Sequence, residues 1–460
     1  MPVERVVVGG SLAALVAADS VARAGRRVRL LLPERGVGGG FAALRVDGCV
    51  LELGVRLLEL GYENDDAPVP PLTDYSPGVS GHRPYVRLIS EYVRGLVGDR
   101  LVPAPRPTMV VGGRNVDDLL FTVDLSSLPE ILDDDDRAAM AHEAAEAVRV
   151  AGPAGVLGDG PAKLEALSLQ DASLTNHGRR FHERFVAALC DKVLPGGAGS
   201  VLASLRRKVW APLFFPQTLS RALEGRDTGF HPTRPFHTVA PAGCGAVVDA
   251  LLDRLEAEPR VTVERPGALT SLEDAGGVTR MVFADGSDVA ARRPFIGVSA
   301  GELFGAAGID YTPERVRTAL AWFERPLEGA PPPGAVTHVL DPENPVLRVS
   351  ACGAATPGRR LLCVELRHDT PTEEIACAAR RGLESAGLEA ADAPLREVLT
   401  AARPTFAAPS ASTRDAFATA AWALRERRLD VELLAGGLSA AADSLNEQLV
   451  QGLRAGAIAT

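Results

Sequence analysis

The chain has 460 residues, a length that suits two domains, and 46% of its residues are hydrophobic, which is enough for a sizeable core. Its formal net charge of −10 argues against a nucleic-acid partner, because such a partner would need a basic surface. The six cysteines form no Cys-x-x-Cys pair, so neither a zinc site nor a disulfide framework is expected. With no secretory leader and no apolar stretch of membrane-spanning length, we expect a cytoplasmic protein without a membrane span.

The first predicted elements are a strand, a glycine turn, a helix and a second strand, an order typical of a dinucleotide-binding βαβ unit. Small residues are needed at this turn because backbone N–H groups must approach a pyrophosphate and the helix must pack on the strand. The candidates for cofactor binding in this turn are Gly9, Gly10, Ser11, Leu12, Ala13 and Ala14.

Two positions of this unit depart from the usual pattern. Ser11 occupies the second small-residue position, where a side chain would meet the phosphate. The acidic residue that normally binds a ribose hydroxyl is replaced by Leu32, and the nearest candidate is Glu34, two residues later. A βαβ unit that binds no nucleotide therefore stays open as an alternative.

A glycine run and a predicted hairpin follow the second strand, and the hairpin leads to Glu52 and Gly54. This run resembles the start of the flavoprotein clan that contains amine oxidases, protoporphyrinogen oxidase and UDP-galactopyranose mutase. In that clan, a Gly-Gly-Arg segment and an Asp-x-Gly segment lie beside FAD. The resemblance implies cofactor contacts at Gly38, Gly39 and Gly40, although Gly40 stands where the clan has arginine.

The C-terminal region shows a second match to this clan. A short buried strand is predicted at 431–437, followed by a helix at 445–459 whose capping box consists of Ser444 and Glu447. This order resembles the clan's closing helix, whose N-terminal partial charge stabilises the reduced flavin. An ordinary amphipathic helix is the alternative. The resemblance implies that the cofactor is bound by Gly436, Gly437, Leu445 and Gln448.

An internal block, 241–305, resembles the part of the clan's fold that lays backbone along the adenine, and Ala268 or Leu269 would make that contact. The fold class predicted from these matches is α/β, with a Rossmann-like FAD/NAD(P)-binding domain built from discontinuous segments and an α+β substrate domain. We assign 1–83, 241–305 and 429–460 to the FAD-binding domain, and 84–240 and 306–428 to the substrate domain.

Two residues of the substrate segments are candidates for substrate binding. Trp210 lies in an aromatic, proline-rich stretch that resembles a segment of bacterial members of the clan, and Arg348 lies on a predicted strand, where it could bind an acidic group. The alternatives are simple packing for Trp210 and a salt-bridged sheet position for Arg348. The sequence identifies no catalytic residue and no metal site.

The resemblance implies an FAD-dependent oxidoreductase that acts on a small organic molecule, such as a secondary metabolite, or a redox-neutral flavin enzyme of the mutase type. The departures at Ser11, Leu32 and Gly40 support a second hypothesis. In that hypothesis the protein keeps the fold, has lost FAD and serves as a partner subunit or a flavin-independent catalyst. A third hypothesis, NAD(P) bound by a continuous domain of six parallel strands, is disfavoured by the hairpin and the C-terminal match.

Overall fold

The structure is a computed structural model that describes residues 4–61, 68–76, 81–232, 234–351, 353–390, 392–438 and 443–459. Helix α1 (Leu12–Arg23) packs on the first strands of the chain, and α16 (Leu445–Ile458) packs on α1. The other α-helices of the described residues are α2 (Val86–Val97), α3 (Leu119–Thr122), α4 (Leu128–Ile131), α5 (Asp134–Ala151), α6 (Pro161–Ala166), α7 (Leu169–His177), α8 (Arg179–Phe181), α9 (Ala188–Val193), α10 (Gly197–Ser200), α11 (Pro216–Leu223), α12 (Gly245–Ala257), α13 (Ala300–Ala306), α14 (Ile375–Ser385) and α15 (Ala411–Glu426). None of these described helices is long and apolar enough to cross a bilayer.

A parallel sheet forms the centre of the first domain. Its strands are β1 (Arg5–Val8), β2 (Val28–Leu31), β10 (Val261–Glu264), β14 (Phe295–Ile296) and β20 (Glu432–Leu433), and their order is β10–β2–β1–β14–β20. Because they come from three distant stretches of chain, they confirm the predicted Rossmann-like domain built from discontinuous segments. The hypothesis of a continuous six-stranded domain is wrong, since three of these strands lie beyond residue 260.

Helix α16 packs along helix α1, so the two ends of the chain share one core. Glycines allow this close approach, because a Cβ atom on Gly452 would collide with the Val16 side chain. A Cβ atom on Gly456 would lie 2.8 Å from the Ser20 carbonyl oxygen. These small residues of the closing helix therefore serve helix–helix packing.

The described residues also form smaller sheets. The predicted hairpin is confirmed as β3 (Leu44–Val46) and β4 (Cys49–Leu51), which pair antiparallel. An antiparallel sheet is formed by β11 (Leu269–Asp274), β12 (Thr279–Phe283) and β13 (Asp288–Ala291). A further sheet contains β5 (Leu58–Glu59), β6 (Leu101–Pro103) and β9 (Phe236–Val239), with β9 in the middle.

A seven-stranded mixed sheet carries the second domain, together with helices packed on it. Its strands are β7 (Thr108–Val111), β8 (Arg114–Asp117), β15 (Arg315–Pro326), β16 (Val336–Val339), β17 (Val346–Ser350), β18 (Arg359–Leu366) and β19 (Arg396–Ala407), in the order β19–β15–β18–β17–β16–β7–β8. Strands β17 and β18 pair antiparallel. The residue limits proposed for the two domains remain a prediction.

Candidate dinucleotide site

The glycine turn after β1 is shaped by contacts within the chain. Gly9 has φ of 109°, and a Cβ atom there would lie 2.5 Å from the carbonyl carbon of Gly297. Ser11 is the N-cap of α1, and its Oγ accepts the N–H of Ala14 at 3.2 Å. Gly9 is therefore required for the approach to the strand that ends at 296, and Ser11 has a capping role that a glycine would not have.

Most of the backbone donors that a pyrophosphate would need at the start of α1 are bonded to the protein itself. The N–H of Ser11 donates to the carbonyl of Gly297 at 3.2 Å, and the N–H of Ala13 donates to Oε1 of Gln448 at 3.3 Å. Together with the N–H of Ala14, which Ser11 caps, three of the N–H groups at this helix start have partners. The usual reason for anion binding at a helix N-terminus is that these groups are unpaired.

The ribose position after β2 contains no acidic group. Leu32 is fully buried, and its N–H donates to the carbonyl of Glu264 at 2.9 Å. Glu34, the alternative acid, is exposed. Pro33 lies over the turn, since a Cβ atom on Gly10 would be 3.0 Å from Pro33 Cγ.

The cavity at this turn is small. It has a volume of about 20 Å³ and is bounded by the turn, by Pro33 and by residues 267–269. That is room for about one water molecule, whereas sites for small organic ligands usually exceed about 300 Å³. A larger cavity, of about 520 Å³, lies at the C-terminal half of α1, next to Tyr92 and Arg254.

The predicted adenine contact is also engaged within the chain. The N–H of Leu269 donates to Oε1 of Glu302 at 2.9 Å, and the carbonyl of Ala268 accepts the N–H of Ala284 at 2.9 Å. Glu302 lies in the first turn of α13, where Ser299 is the N-cap. The Glu302 carboxylate thus accepts the Leu269 N–H, one of the backbone groups that the resemblance assigns to the adenine contact.

In the glycine run after β2, one glycine is packed against the protein and the next two are exposed to solvent. Gly38 donates its N–H to the Gly10 carbonyl at 2.6 Å, and a Cβ atom there would lie 2.7 Å from Val248. Gly39 and Gly40 are exposed. Arg56 donates to the Gly40 carbonyl at 2.9 Å, so a guanidinium group does lie next to the position where the clan has arginine.

The closing helix begins as predicted but uses its side chains differently. Ser444 caps the N–H of Glu447 at 3.3 Å, which confirms the N-cap. The prediction of a full capping box is wrong, because the Glu447 carboxylate turns away to Tyr75 Oη and to His82 Nδ1, the latter at 3.3 Å. Leu445 is buried in the core beneath this helix.

The two glycines before the closing helix pack against α13. A Cβ atom on Gly436 would lie 3.4 Å from the Ala300 nitrogen, and one on Gly437 would lie 2.9 Å from Leu303. The neighbouring N–H of Ala435 donates to Oε1 of Gln451 at 2.7 Å. These residues fix the approach of the chain to α16.

A buried charged cluster surrounds the start of α16. His82 lies between Glu59, at 3.4 Å, and Glu447, and Arg207 pairs with Glu59 at 3.2 Å. Burial disfavours the charged imidazole, but the bonds to Glu447 and Glu59 outweigh it, so the pKa of His82 is raised. Burial likewise opposes the charge on Glu447, but His82 and Tyr75 lower the pKa of this carboxyl.

A second buried acid lies after the hairpin, in the segment that resembles Asp-x-Gly. Glu52 Oε1 accepts the N–H of Gly245 at 3.0 Å, at the start of α12. Burial raises the pKa of Glu52 to about 7. Gly54 packs against Glu365, since a Cβ atom there would lie 2.7 Å from Oε1. The space beside this segment is taken up by protein side chains, and Glu52 links the hairpin to α12.

Both candidate substrate residues have partners within the chain. Arg348 forms a bidentate ion pair with Glu365, at 2.6 and 2.7 Å. Although burial opposes ionisation, Arg348 keeps the pKa of the Glu365 carboxyl below its ordinary value. Trp210 stacks beside Phe121, with ring centroids 4.5 Å apart. Their roles toward a substrate remain proposals.

Three side chains that shape this region were missed at the sequence level: Gln448 as a partner of α1, Glu302 as a partner of Leu269, and His82 between two acids. Gln448 was predicted to bind the cofactor, yet it lies 435 residues away from its partner Ala13. Local patterns do not report such distant pairings. The run of polar residues 446–448 in the first turn of this helix was the available signal.

The fold and this edge define a Rossmann-type dinucleotide-binding architecture joined to an α+β domain. The family model described as "NAD(P)-binding Rossmann-like domain" matches residues 7–67. No curated protein matches the sequence.

Among solved structures, reduced UDP-galactopyranose mutase is similar, with a TM-score of 0.69, 14% identity, and coverage of 98% of this chain and 92% of that one. A protein described as a protoporphyrinogen oxidase, from Exiguobacterium sp. 255-15, has a TM-score of 0.62 and 14% identity, covering 99% and 98%. A putrescine oxidase variant has a TM-score of 0.62 and 16% identity, covering 100% and 99%. The resemblance to this flavoprotein clan is therefore confirmed at the level of fold.

The residues at the nucleotide edge do not fit FAD as a resident group. The donors at Ser11, Ala13 and Leu269 have internal partners, and the Leu32 side chain offers no acceptor to a ribose. Binding FAD would require breaking these bonds and opening a cavity of about 20 Å³ to many times its volume. Each buried donor freed without a new partner would cost about 1–3 kcal/mol.

Proposed function

We propose that this chain keeps the fold of FAD-dependent oxidoreductases but works without resident FAD, as a flavin-independent protein that acts on a small organic molecule. The observation that carries the proposal is that N–H groups at the start of α1 already have hydrogen-bond partners. Gln448 Oε1 accepts the Ala13 N–H, and Ser11 Oγ accepts the Ala14 N–H. In this arrangement the Rossmann unit is a structural support, and the remaining chemistry belongs to side chains of the second domain.

The second candidate function is that of an FAD-dependent oxidoreductase of the amine oxidase or protoporphyrinogen oxidase type, acting on a small organic substrate. It is favoured by the parallel sheet built from three stretches and by Arg56, whose guanidinium lies next to Gly40. In this case FAD would supply redox chemistry. The departures at Ser11 and Leu32 oppose it.

The visible absorption spectrum of the purified protein separates the two. We expect a colourless protein whose melting temperature does not rise when FAD is added, because a ligand stabilises only a folded state that binds it. A flavin spectrum that survives desalting, or a melting temperature that rises with FAD concentration, would refute the proposal and favour the second candidate.

A designed variant sharpens this test. Gln448→Ala frees the N–H of Ala13 and removes side-chain volume above α1, and it should give weak FAD binding where the wild type gives none. Gln451→Ala is the matched control, since Gln451 lies on the same helix but bonds to Ala435. Binding restored equally by both variants would indicate loosening of α16 and not a freed donor.

A further inference from the structure

The cavity of about 520 Å³ lies at the end of α1 opposite to the glycine turn, and neither candidate function uses it. Among the described residues, its walls come from the last two turns of α1, from α2, from the end of α12, from α16 and from Leu72. Helix α1 contacts α12 and α16, and α2 contacts the same two helices. The volume falls within the range of about 300–1,000 Å³ that is usual for small-molecule sites.

One wall of the cavity contains a carboxylate that already has a partner. The Asp19 side chain is only 4% exposed, and its Oδ2 accepts the O–H of Tyr92 at 2.9 Å. Burial and the charge of Asp19 raise the pKa of Tyr92, so this hydroxyl keeps the proton that it donates. Asp19 is therefore out of reach of a ligand and acts on the cavity through its charge.

Two arginines lie beside this carboxylate and line the cavity. Arg254 Nη1 is 3.7 Å and Arg23 Nη1 is 3.9 Å from Asp19 Oδ2, distances that are too long for a hydrogen bond. Arg254 Nη2 donates to the Gly95 carbonyl, and Arg23 lies over the Tyr92 ring. Because the two arginine side chains are 32% and 59% exposed, a ligand can reach their guanidinium groups. Two guanidinium groups beside one carboxylate leave this wall with a surplus of positive charge.

The other acids of the lining limit the charge that a ligand can carry. Glu258 is paired with Arg260 at 2.7 Å, so its charge already has a counterion. Glu91 is exposed and lies on the same face of α2 as Leu88 and Tyr92, at the spacing i, i+3 and i+4. A second negative group near Glu91 would be repelled. The charges of the lining therefore favour a ligand with one carboxylate over a ligand with two.

The remaining side chains of the lining are apolar. Leu72, Leu88 and Leu453 are each partly buried against the core beneath α1 and α16, and they also line the cavity. Covering their exposed surface with another apolar group is favourable. A polar group placed among them would lose its water without gaining a partner. The part of the ligand that lies beside these leucines should therefore be hydrocarbon.

From this geometry we propose that the cavity binds a small aliphatic monocarboxylic acid. Its carboxylate pairs with Arg23 and Arg254, and its hydrocarbon body covers the three leucines. Arginine suits this role because its planar guanidinium group can donate two parallel N–H bonds to one carboxylate. The site goes beyond the proposed function, because it uses no residue of the nucleotide edge and none of the candidate substrate residues.

Isothermal titration calorimetry of the full chain, with three ligands of equal carbon number, tests the site. Hexanoate should bind saturably at a single site. Hexanol, which lacks the charge, and adipate, which carries a second charge, should each bind at least about tenfold more weakly. No saturable binding of hexanoate, or equal affinity for hexanol or adipate, would overturn the proposal.

A charge variant tests the role of the arginine pair. Arg23→Gln removes one guanidinium group from an exposed position and should weaken hexanoate binding about tenfold. Arg87→Gln is the matched control, because Arg87 is also exposed but does not line the cavity. Unchanged hexanoate affinity in Arg23→Gln, or an equal loss in both variants, would contradict the proposed contact.

A variant that fills the cavity gives an independent test. A Cβ atom on Gly95 meets nothing within 4 Å, and Gly95 lines the cavity, so the side chain in Gly95→Leu should occupy the ligand's space. We expect this variant to lose hexanoate binding without a lower melting temperature, because leucine favours a helix more than glycine does.

Gly305→Leu is the control for this variant, since Gly305 also has open space but lies on α13, away from the cavity. A folded Gly95→Leu protein that binds hexanoate like the wild type would refute the location of the site. If Gly95→Leu does not fold, the three ligands and Arg23→Gln decide. A flavin spectrum in the same sample would refute only the proposed function.

Discussion

Replacing Glu52 with glutamine should make the stability of this protein less dependent on pH. Glu52 is buried, its Oε1 accepts the N–H of Gly245, and its Oε2 has no partner among the described residues. Burial raises its pKa from the ordinary 4.5 to about 7. Glutamine keeps an acceptor oxygen for Gly245 and carries no charge at any pH.

The magnitude follows from the two pKa values. Because the pKa is higher in the folded than in the unfolded chain, the contribution of Glu52 is fully present below about pH 4.5 and is lost as pH rises through about 7. The loss in the free energy of unfolding amounts to about 3 kcal/mol, because a difference of one in pKa corresponds to about 1.36 kcal/mol. We therefore expect Glu52→Gln to unfold like the wild type near pH 4.5 and to be about 3 kcal/mol more stable near pH 8.

Urea denaturation at these two pH values measures the difference. Glu365→Gln is the matched control, because Glu365 is also a buried acid but is paired with Arg348, which keeps the pKa of its carboxyl low. That variant should be less stable than the wild type near pH 8. If Glu52→Gln were no more stable than the wild type near pH 8, the assignment of a buried carboxyl with a raised pKa at this position would be refuted.

Three further predictions concern packing and charge. Gly452→Ala should lower the melting temperature by several degrees, because a Cβ atom collides with α1, whereas Gly305→Ala on α13, which has open space, should not. His82→Gln should destabilise the protein more near pH 6 than near pH 9. Because the pKa of His82 is raised on folding, its stabilising effect is present below about pH 6.5 and is lost as pH rises through the pKa of the folded state. Thermal melts at both pH values check this, and an equal loss of stability at both would contradict it. Arg348→Met leaves Glu365 buried without its partner and should cost about 3–5 kcal/mol by urea denaturation, while a loss below about 1 kcal/mol would show that the pair contributes little.

The fold class could be predicted because its signals are local. The glycine turn after β1, the hairpin, and the N-cap at Ser444 each occupy a few consecutive residues, and each was confirmed where the sequence predicts it. Agreement of such signals at both ends of the chain was enough to indicate a discontinuous Rossmann-like domain.

The state of the candidate site could not be predicted in the same way. Whether the Ala13 N–H is available to a ligand depends on Gln448, and whether the Leu269 N–H is available depends on Glu302. These side chains meet their partners only through the tertiary packing of α16 and α13. The sequence showed unusual residues at this edge of the sheet, Ser11 and Leu32, but not the groups that fill it.

The pairing of α1 with α16 has a consequence for how the protein is made. While a ribosome is still adding the middle of the chain, the face of α1 that carries Val16 has no α16 to cover it, and β14 lacks its neighbour β20. The first strands can therefore reach their final environment only after residues 445–458 have been synthesised. During that interval an apolar helix surface stays open to chaperones, and folding of this domain depends on the synthesis of α16.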